Sequence, residues 1–311
     1  MKMSKTAITE ILKKCQTDGV SQLLCMFPDI LGQPMVLQVS AGEMEKSFKR
    51  GCTIDGSSVD GFSRINESDL LAVPDSRTFR VLPWTIADQK IGIAICDIKY
   101  PDGRQFPGDT RYLLKRALSG PAKKGWSFNI GPELEFFLFQ EADQPTLIDR
   151  GRYFSLVDDH IGLEFRTKVL NLLEAFGIEA EVAHHEVAYS QHEVNIRYLE
   201  ALEMADKIFL YRWFVQKLAR DMGYRATFMP KPIMGINGSG MHTNQSIEGK
   251  NGRNLFFNRG NHGQLSRIGQ QYLAGLLTYA PQFTAVLNQF VNSYKRLVPG
   301  MEAPVYICYG T

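Results

Sequence analysis

The chain has 311 residues, of which 44% are hydrophobic and 22% are charged, and its formal net charge at pH 7 is +2. This length can bury a sizeable core and allows two domains, while the near-neutral charge gives no reason to expect nucleic acid or a membrane as a partner. The five scattered cysteines lack a Cys-x-x-Cys pair, and no apolar run is long enough to span a membrane. We therefore expect a soluble, cytoplasmic protein with reduced thiols.

The first hundred residues predict a small α+β domain. Apolar residues at helical spacing predict a helix over 6–15 that is stopped at Gly19, and residues 28–32 predict a hairpin turn between two strands. The predicted elements of this domain are the helix 6–15, strands 22–27 and 35–39, a short helix 41–49, and strands 69–74 and 91–98. The turn residues after Tyr100 predict a domain boundary, which gives an N-terminal domain over residues 1–104.

Residues 105–311 are expected to form a second domain. A helical stripe of apolar residues ends at Gly177, where a left-handed C-terminal cap is expected. The predicted elements are helices over 110–118 and 199–222, strands over 178–188, 191–198 and 225–229, helices within 264–290, and a buried strand that begins at Pro304.

The central stretch of the sequence is Gly-Pro-Glu-Leu-Glu-Phe-Phe-Leu-Phe at 131–139. Glu133 and Glu135 are two residues apart and therefore point to one face of a strand, and the aromatic run predicts that this strand is buried. Two like charges on a buried face require compensation, which a divalent cation such as Mg²⁺ or Mn²⁺ would supply. The alternative is an edge strand with both carboxylates in water.

Several familiar catalytic motifs are absent from the sequence: the phosphate-binding loop, the dinucleotide fingerprint, the Gly-x-Ser-x-Gly elbow and the His-Glu-x-x-His zinc site. Carboxylates and one histidine remain, beside glycine, proline or a predicted strand. They are Glu133, Glu135, Glu186, Glu193 and His242. Glu186 and Glu193 are seven residues apart, which is the wrong parity for one face of a single strand. If both serve one site, a turn near 189–190 must lie between them.

The motifs of this chain together resemble those of the glutamine synthetase family. They occur in family order and cover nearly the whole chain, at 55–58 (Asp-Gly-Ser-Ser), 65–69, 131–139, 184–188, 228–232, 237–242 (Asn-Gly-Ser-Gly-Met-His) and 295–304. The resemblance implies an α+β fold, with a β-grasp-like domain followed by a catalytic domain on a curved antiparallel sheet. It implies an ATP-dependent ligase that phosphorylates the side-chain carboxylate of glutamate and lets ammonia displace the phosphate.

The resemblance also implies roles for individual residues. One divalent ion is expected on Glu135, Glu186 and Glu193, and another on Glu133 and His242 with a carboxylate further along the chain. Asn237, Gly238 and Arg296 match glutamate-binding positions, and Glu302 matches a flap residue that shields the intermediate from water. The remaining matches are an ammonium pocket at Asp55, Ser58, Asp69, Tyr153 and Glu302, and positions near the nucleotide at Glu181, Tyr198 and Ser246.

The sequence departs from the family pattern at three places. Asn244 stands where many members carry a second histidine near the phosphates, and Ser190 replaces a usual glycine in the turn before Gln191. The chain stops at Thr311, where family members continue with further arginines, a metal carboxylate and much of the nucleotide site. We therefore expect the catalytic domain to be represented by its N-terminal portion, and the activity of the 311-residue chain itself stays an open question.

Three functions remain open: a glutamate–ammonia ligase, which we favour, a ligase that joins glutamate to an amine or polyamine, and a non-catalytic relative kept for assembly or regulation. The complete set of ammonium-pocket residues favours the first over the second. The end of the chain at Thr311 favours the third for this polypeptide taken as given, unless the sequence is an incomplete copy of a longer one. The resemblance further implies a ring-shaped homo-oligomer, expected to be a dodecamer, in which Asp55 acts on the site of a neighbouring subunit. Expected ligands are glutamate, ammonium, ATP, and two or more Mg²⁺ or Mn²⁺ ions per site.

Overall fold

The computed structural model describes residues 5–64, 68–142 and 144–310, so residues 65–67 of the 65–69 motif lie outside the described residues. The chain divides into two compact units, which are described separately: Met1–Gly120 with Ala205–Leu210, and Pro121–Met204 with Tyr211–Thr311. Among the helices of the described residues, none is long and apolar enough to cross a membrane.

The first unit is built around a sheet with strand order β2-β1-β6-β4-β3, in which β5 also pairs with β6. Strands β1 and β6 are parallel and the other pairs are antiparallel. The elements are α1 (Lys5–Asp18), β1 (Val20–Pro28), β2 (Pro34–Ser40), α2 (Met44–Arg50), β3 (Cys52–Asp55), β4 (Asp69–Pro74), β5 (Arg80–Ile86), β6 (Gln89–Lys99) and α3 (Thr110–Lys123). The predicted helices and strands of this region are confirmed, and β3 and β5 are additional.

Local chemistry explains these elements. The turn between β1 and β2 is closed by the Asp29 carboxylate, which accepts hydrogen bonds from the backbone N–H groups of Leu31 at 2.8 Å and Gln33 at 2.7 Å. Strand β5 contains Pro83, and its pairing register with β6 shifts between Val81 and Thr85. A proline inside a run weakens a strand prediction, which is why the sequence pattern did not indicate β5.

A buried guanidinium ties three carboxylates together in the first unit. Arg111 has a side chain that is 4% exposed, and it donates two hydrogen bonds of 2.9 Å to Asp206 and one of 3.0 Å to Asp75. It also pairs with Asp97. Asp75 is also paired with Arg77, and Asp97 with Lys115, whereas the hydrogen bonds described for Asp206 all come from Arg111. Arg111 therefore compensates the charge of Asp206 above all.

The second unit contains a sheet in which every assigned pair is antiparallel, with β7 at its centre. Its strand order is β11-β7-β10-β9, and β8, β12 and β13 also pair with β7. The elements are β7 (Ser127–Gln140), β8 (Thr146–Leu147), α4 (His160–Phe176), β9 (Ala180–His185), β10 (Gln191–Ile196), β11 (Leu199–Glu200), α5 (Ala201–Asp221), β12 (Tyr224–Thr227), β13 (Met241–Glu248), α6 (Arg267–Leu287) and α7 (Val291–Arg296).

The position of β7 settles the choice between a buried strand and an edge strand. Residues 133–137 pair with β10, and residues 127–134 pair with β13. The edge-strand alternative for Glu133 and Glu135 is therefore wrong. The cap at the end of α4 is confirmed as well, because Gly177 has φ +85° and its N–H bonds back to carbonyls of the last helical turn.

The structure contains a strand, β13, that was not predicted, and its described residues lack the strand that was predicted from Pro304. Strand β13 follows the glycine loop and was not indicated by the sequence, because its polar residues hide the alternation of a half-buried strand. The buried strand predicted from Pro304 is wrong: residues 304–310 are not assigned to any strand, and Tyr306 is 79% exposed. A strand needs a neighbour for its backbone hydrogen bonds, and the described residues supply none there.

The turn between β9 and β10 contains a strained residue. Ser190 is fully buried with φ +60°, and its hydroxyl oxygen accepts hydrogen bonds from the backbone N–H groups of Ile148 at 2.8 Å and Asp149 at 3.3 Å. This backbone conformation favours glycine, the usual family residue. The two hydrogen bonds give a physical reason why serine is accommodated here.

We predict that Arg111→Met lowers the free energy of unfolding by about 3–5 kcal/mol, since it leaves Asp206 without its counter-charge and removes one of the cationic partners of Asp75 and of Asp97. Arg104→Met is the control, because Arg104 pairs with Asp102 at 2.7 Å while its side chain is 75% exposed. The control should cost less than about 1 kcal/mol. Chemical denaturation followed by circular dichroism measures both, and equal losses would contradict the proposed importance of Arg111.

At Ser190 we predict that alanine is worse than glycine. Ser190→Ala keeps the unfavourable φ and leaves two buried N–H groups without an acceptor, which costs about 2–3 kcal/mol. Ser190→Gly loses the same hydroxyl but relieves the backbone strain, so its loss should be smaller by about 1 kcal/mol. Urea unfolding of the two variants beside the native chain measures the difference. Identical stabilities of the two variants would show that the φ of Ser190 stores no strain.

Candidate active site

Strand register places the acidic side chains on one face of the second sheet. Glu193 lies opposite Glu135 on β7 and opposite His184 on β9, while His242 lies opposite Glu133. Residues directly opposite each other in an antiparallel pair share a face. The predicted carboxylates of β7 and β10 and the predicted histidine are therefore brought to one surface, together with His184.

The side chains on this face approach each other closely. His242 Nδ1 lies 3.2 Å from Glu133 Oε2, His184 Nε2 lies 3.4 Å from Glu193 Oε1, and His184 Nδ1 lies 3.5 Å from Glu186 Oε1. The side chains on this face form two groups of potential metal ligands. The first consists of Glu133, Glu193 and His242, and the second of His184, Glu186 and Glu193. Within each group the ligand atoms lie within 4.8 Å of one another. Glu193 belongs to both groups, which makes one continuous cluster.

Glu135 lies on the same face, opposite Glu193, but it is in neither ligand group and is only 8% exposed. Its Oε2 accepts hydrogen bonds from Gln191 Nε2 at 2.9 Å and from the Gly240 backbone N–H at 3.1 Å. Burial raises the pKa of Glu135 to about 7, and the Glu186 and Glu193 carboxylates add to the rise, while the Gly240 N–H and Arg296 oppose it. A buried carboxylate beside like charges is the environment that a bound cation would relieve.

The other ionisable groups of the cluster show the same crowding of negative charge. Burial raises the pKa of Glu186, and the neighbouring Glu193 carboxylate adds to this effect. Burial alone would lower the pKa of His184, but Glu193 and Glu186 outweigh it and raise the pKa above its ordinary value. Carboxylate oxygens with an occasional imidazole suit Mg²⁺ or Mn²⁺. The residues present therefore fit a divalent cation.

The glycine loop before β13 adjoins the carboxylate cluster. Gln191 Nε2 donates to Glu135 and also to the Gly238 carbonyl at 3.1 Å, which links the loop to the sheet. A Cβ atom at Gly238 would lie 2.1 Å from the Pro230 carbonyl oxygen and 3.2 Å from Arg296 Cγ. Only glycine fits this position without displacing the backbone.

Three further predicted residues meet at this loop. Asn237 Nδ2 donates a hydrogen bond of 2.7 Å to Glu302 Oε2, and Glu302 has φ +48°. Arg296 lies against Gly240, and its buried Nε is without a hydrogen-bond partner among the described residues. The loop, the end of α7 and the segment after it thus form one polar surface beside the carboxylates.

An aromatic pair lies over His184. The predicted residue Tyr153 is 52% exposed, and its ring centroid is 5.5 Å from that of His184. Phe154 stacks on Tyr153 at 4.0 Å and lies 4.8 Å from His184, with φ +59°. Phe154 was not predicted as a site residue, and the adjacent Tyr-Phe pair was the only signal in the sequence.

The first unit carries a separate acidic group at the end of β3. Asp55 lies opposite Asp69 on β4, and its carboxylate accepts hydrogen bonds from the Ser57 N–H at 2.9 Å, the Ser57 hydroxyl at 2.6 Å and the Ser58 hydroxyl at 3.2 Å. The hydrogen bonds from Ser57 hold the pKa of Asp55 below its ordinary value. Asp55, Ser58 and Asp69 are thus brought together by the β3–β4 hairpin.

The expected nucleotide residues lie on the second sheet or directly beside it. Glu181 on β9 accepts a hydrogen bond of 3.1 Å from Arg197 Nε, Tyr198 follows β10 and is 60% exposed, and Ser246 lies on β13 opposite Asn129. Asn244, the departure from the family pattern, donates to Glu133 Oε1 at 2.9 Å. It therefore contacts the carboxylate cluster directly.

Sequence reasoning missed His184 and Gln191 as site residues. His184 lies within the predicted strand 178–188, but only the β9–β10 register shows that it faces Glu193. Gln191 is 1% exposed and spans the distance between Glu135 and the glycine loop. A buried glutamine beside a predicted turn was the available signal.

Comparison with known proteins places this architecture in a family. The family model described as "Glutamine synthetase, beta-Grasp domain" matches residues 19–101, and the model described as "Glutamine synthetase, catalytic domain" matches residues 107–311. The chain is 43% identical to the glutamine synthetase of Methanosarcina mazei over 308 residues, covering 98% of this chain and 69% of that protein. It is 46% identical to the glutamine synthetase of Thermus thermophilus over 308 residues, which cover 96% of this chain and 69% of that protein.

Solved structures agree with the sequence comparisons. The structure of a GmaS/ADP complex is similar with a TM-score of 0.83 and 31% identity, over 94% of this chain and 67% of that one. The cryo-EM structure of Plasmodium falciparum glutamine synthetase is similar with a TM-score of 0.87 and 25% identity, over 96% of this chain and 64% of that one. The expected fold, a β-grasp domain followed by a catalytic domain, is confirmed, and the chain belongs to the glutamine synthetase family of ligases.

Proposed function

We propose that this protein joins ammonia to the side-chain carboxylate of glutamate at the expense of ATP, through a γ-glutamyl phosphate, and so forms glutamine. The observation that carries the proposal is the double hydrogen bond of Gln191, which connects the carboxylate cluster to the glycine loop. A site for phosphate charge and a site for an amino acid are thereby adjacent on one surface, as transfer from ATP to glutamate requires.

We propose that Glu135, Glu186 and Glu193 hold one Mg²⁺ or Mn²⁺ ion, and that Glu133 and His242 contribute to another. Such ions, when bound, neutralise phosphate charge and align the transferring group with its acceptor. Glu193 is shared by the two ligand groups, whereas Glu135 is in neither and is proposed as a ligand from the family resemblance and from its place opposite Glu193. Asn244 holds Glu133 from the side and keeps that carboxylate turned toward His242.

The substrate glutamate is proposed to bind at Asn237, Gly238 and Arg296. The guanidinium of Arg296 suits a carboxylate, and its Nε is a buried donor without a partner among the described residues. Glu302 is proposed to exclude water from the γ-glutamyl phosphate, because its contact with Asn237 closes the loop over the site. Glu181, Tyr198 and Ser246 are proposed to contact ATP.

Ammonium is proposed to bind between Asp55, Ser58, Asp69, Tyr153 and Glu302. The hydrogen bonds from Ser57 lower the pKa of Asp55, so its carboxylate is charged and attracts ammonium. The same carboxylate is proposed to accept a proton as ammonia attacks the acyl phosphate. By the family resemblance, Asp55 serves the site of a neighbouring subunit. The proposal therefore includes a ring-shaped homo-oligomer of the cytoplasm and a domain boundary near residue 104.

The second candidate is a ligase of the same family that uses an amine or polyamine instead of ammonium. The exposed rings of Tyr153 and Phe154 beside His184 favour it, because they offer apolar surface to an alkyl group. Glutamate-dependent phosphate release from ATP, measured with ammonium, methylamine and spermidine in turn, separates the two. A higher kcat/KM with either amine than with ammonium would replace the first proposal by the second.

We predict that Asp55→Ala lowers the ammonium-dependent rate by about 100-fold, the size of a general-base contribution. Glutamate-dependent ADP formation without ammonium should change far less, since Asp55 acts after phosphoryl transfer. The control is Asp60→Ala, another exposed aspartate of the same segment. Equal losses of both reactions in Asp55→Ala would refute the role assigned to this residue.

A second prediction concerns Glu135 and pH. Its pKa is raised from 4.5 to about 7 in the folded, metal-free protein. The protonated form therefore contributes stability that is present below pH 4.5 and lost as the pH rises through about 7. Between pH 4 and pH 8 in EDTA, the unfolding free energy of the native chain should fall by about 3 kcal/mol relative to Glu135→Gln, which cannot ionise.

Urea unfolding at each pH measures this difference, with Glu141→Gln as the control because Glu141 is an exposed carboxylate just beyond β7. At pH 8, added Mn²⁺ should stabilise the native chain more than Glu135→Gln. If the variant and the native chain have the same pH dependence and the same response to Mn²⁺, Glu135 is not a ligand.

A further inference from the structure

The reverse face of the second sheet carries a buried polar group of its own. His185 on β9 lies opposite His192 on β10, and both side chains are fully buried. Asp149, Asp159 and Arg166 complete the group, with side chains that are 4%, 0% and 6% exposed. Because His185 and His192 alternate with His184 and Glu193 along their strands, this group lies on the side of the sheet away from the carboxylate cluster.

His185 makes two hydrogen bonds with fixed partners. Its Nε2 donates to Asp149 Oδ1 at 2.9 Å, and its Nδ1 donates to the backbone carbonyl of Glu186 at 2.6 Å. Asp149 is itself held by the backbone, since the same oxygen accepts N–H groups of Gly151 and Ser190 at 3.0 Å each. The Glu186 main chain is thus anchored, through one imidazole, to the chain segment around Asp149.

The space beside the ring leaves little freedom. A Cβ atom at Gly151 would lie 2.4 Å from His185 Nε2, so the backbone passes directly over the imidazole. The ring cannot turn without losing Asp149, and Asp149 cannot shift without losing two backbone hydrogen bonds. The tether to Glu186 is therefore stiff.

The group is not itself suited to a metal ion, although ligand atoms of Asp159, His185 and His192 lie within 4.8 Å of one another. Arg166 pairs with both oxygens of Asp159 and donates to His192 Nδ1 at 2.8 Å. A guanidinium donates only and stays charged, so it occupies both Asp159 oxygens and His192 Nδ1, and it repels a cation that would approach the remaining His192 Nε2. The polar group on the reverse face is therefore structural support.

We propose that His185 is a positioning residue that holds Glu186 in the geometry required for a divalent cation. The inference rests on the proposed function, because it assumes that Glu186 is a ligand. Glu186 is the first residue after β9, and its carboxylate lies in one ligand group with Glu193, whose like charge favours a movement of Glu186 away from the group. The hydrogen bond from His185 to the Glu186 carbonyl opposes this movement before any ion arrives.

Two amide substitutions separate the two contacts of the ring. In His185→Asn the side-chain amide nitrogen takes the place of Nδ1, so it can still donate to the Glu186 carbonyl but no longer reaches Asp149. In His185→Gln the amide nitrogen takes the place of Nε2, so it can still donate to Asp149 but no longer reaches the Glu186 carbonyl. The control is Phe165→Leu, because Phe165 is fully buried and packs on Phe136 of β7 without a polar link to Glu186. Binding of Mn²⁺ alone to the full chain is measured by electron paramagnetic resonance of free Mn²⁺, with Tm and near-ultraviolet circular dichroism recorded for each variant.

We expect both His185→Gln and His185→Asn to raise the Kd for Mn²⁺ about tenfold, because each keeps one contact of the ring and breaks the tether at the other. Phe165→Leu should lower Tm and leave the Kd unchanged. The inference is overturned if either amide variant keeps the native Kd, or if Kd follows Tm across all three variants. Should His185→Gln fail to fold, Asp149→Asn decides: an increased Kd supports the tether, and an unchanged Kd overturns it. Absence of Mn²⁺ binding by the native chain would instead refute the proposed function.

Discussion

The rest of the structure depends on the confinement of like charges on one sheet face. Glu133, Glu135 and Glu193 are forced together by the pairing of β7 with β10, so their repulsion cannot be relieved by a change of rotamer alone. Burial increases this repulsion by excluding water. The surrounding chain offsets part of it with neutral donors, namely Gln191, Asn244 and the Gly240 N–H. The repulsion that these donors do not offset favours the binding of a cation.

The two faces of the second sheet have complementary tasks. On one face the carboxylates form the two ligand groups, and on the other His185 is hydrogen-bonded to Asp149, and Arg166 to Asp159 and His192. The reverse face is not fully satisfied, because the buried Asp149 Oδ2 and His192 Nε2 have no hydrogen-bond partner among the described residues. Its hydrogen bonds hold these side chains in place, whereas the ligand face concentrates negative charge for binding. Alternation along β9 and β10 is what allows adjacent residues to serve such different purposes.

The glycine loop shows how local conformation serves the site. Gly238 is required because a side chain would collide with the Pro230 carbonyl, and Lys231 supports the same loop by donating from Nζ to the Ile236 carbonyl. Lys231 is 3% exposed, and burial lowers its pKa, with Arg296 adding to the effect. A buried lysine bonded to a main-chain carbonyl stabilises a loop that lacks regular secondary structure.

The sequence alone determined the shared face of Glu133 and Glu135, the cap at Gly177 and the need for a turn between Glu186 and Glu193, because these follow from local periodicity and backbone preference. Motif order also indicated the family. Tertiary structure decided which carboxylates meet: His184 joins Glu193, and Glu193 serves both ligand groups, through strand register that no local pattern contains. Strand β13 and the failed strand after Pro304 have the same explanation, since a strand exists only where a neighbour accepts its hydrogen bonds.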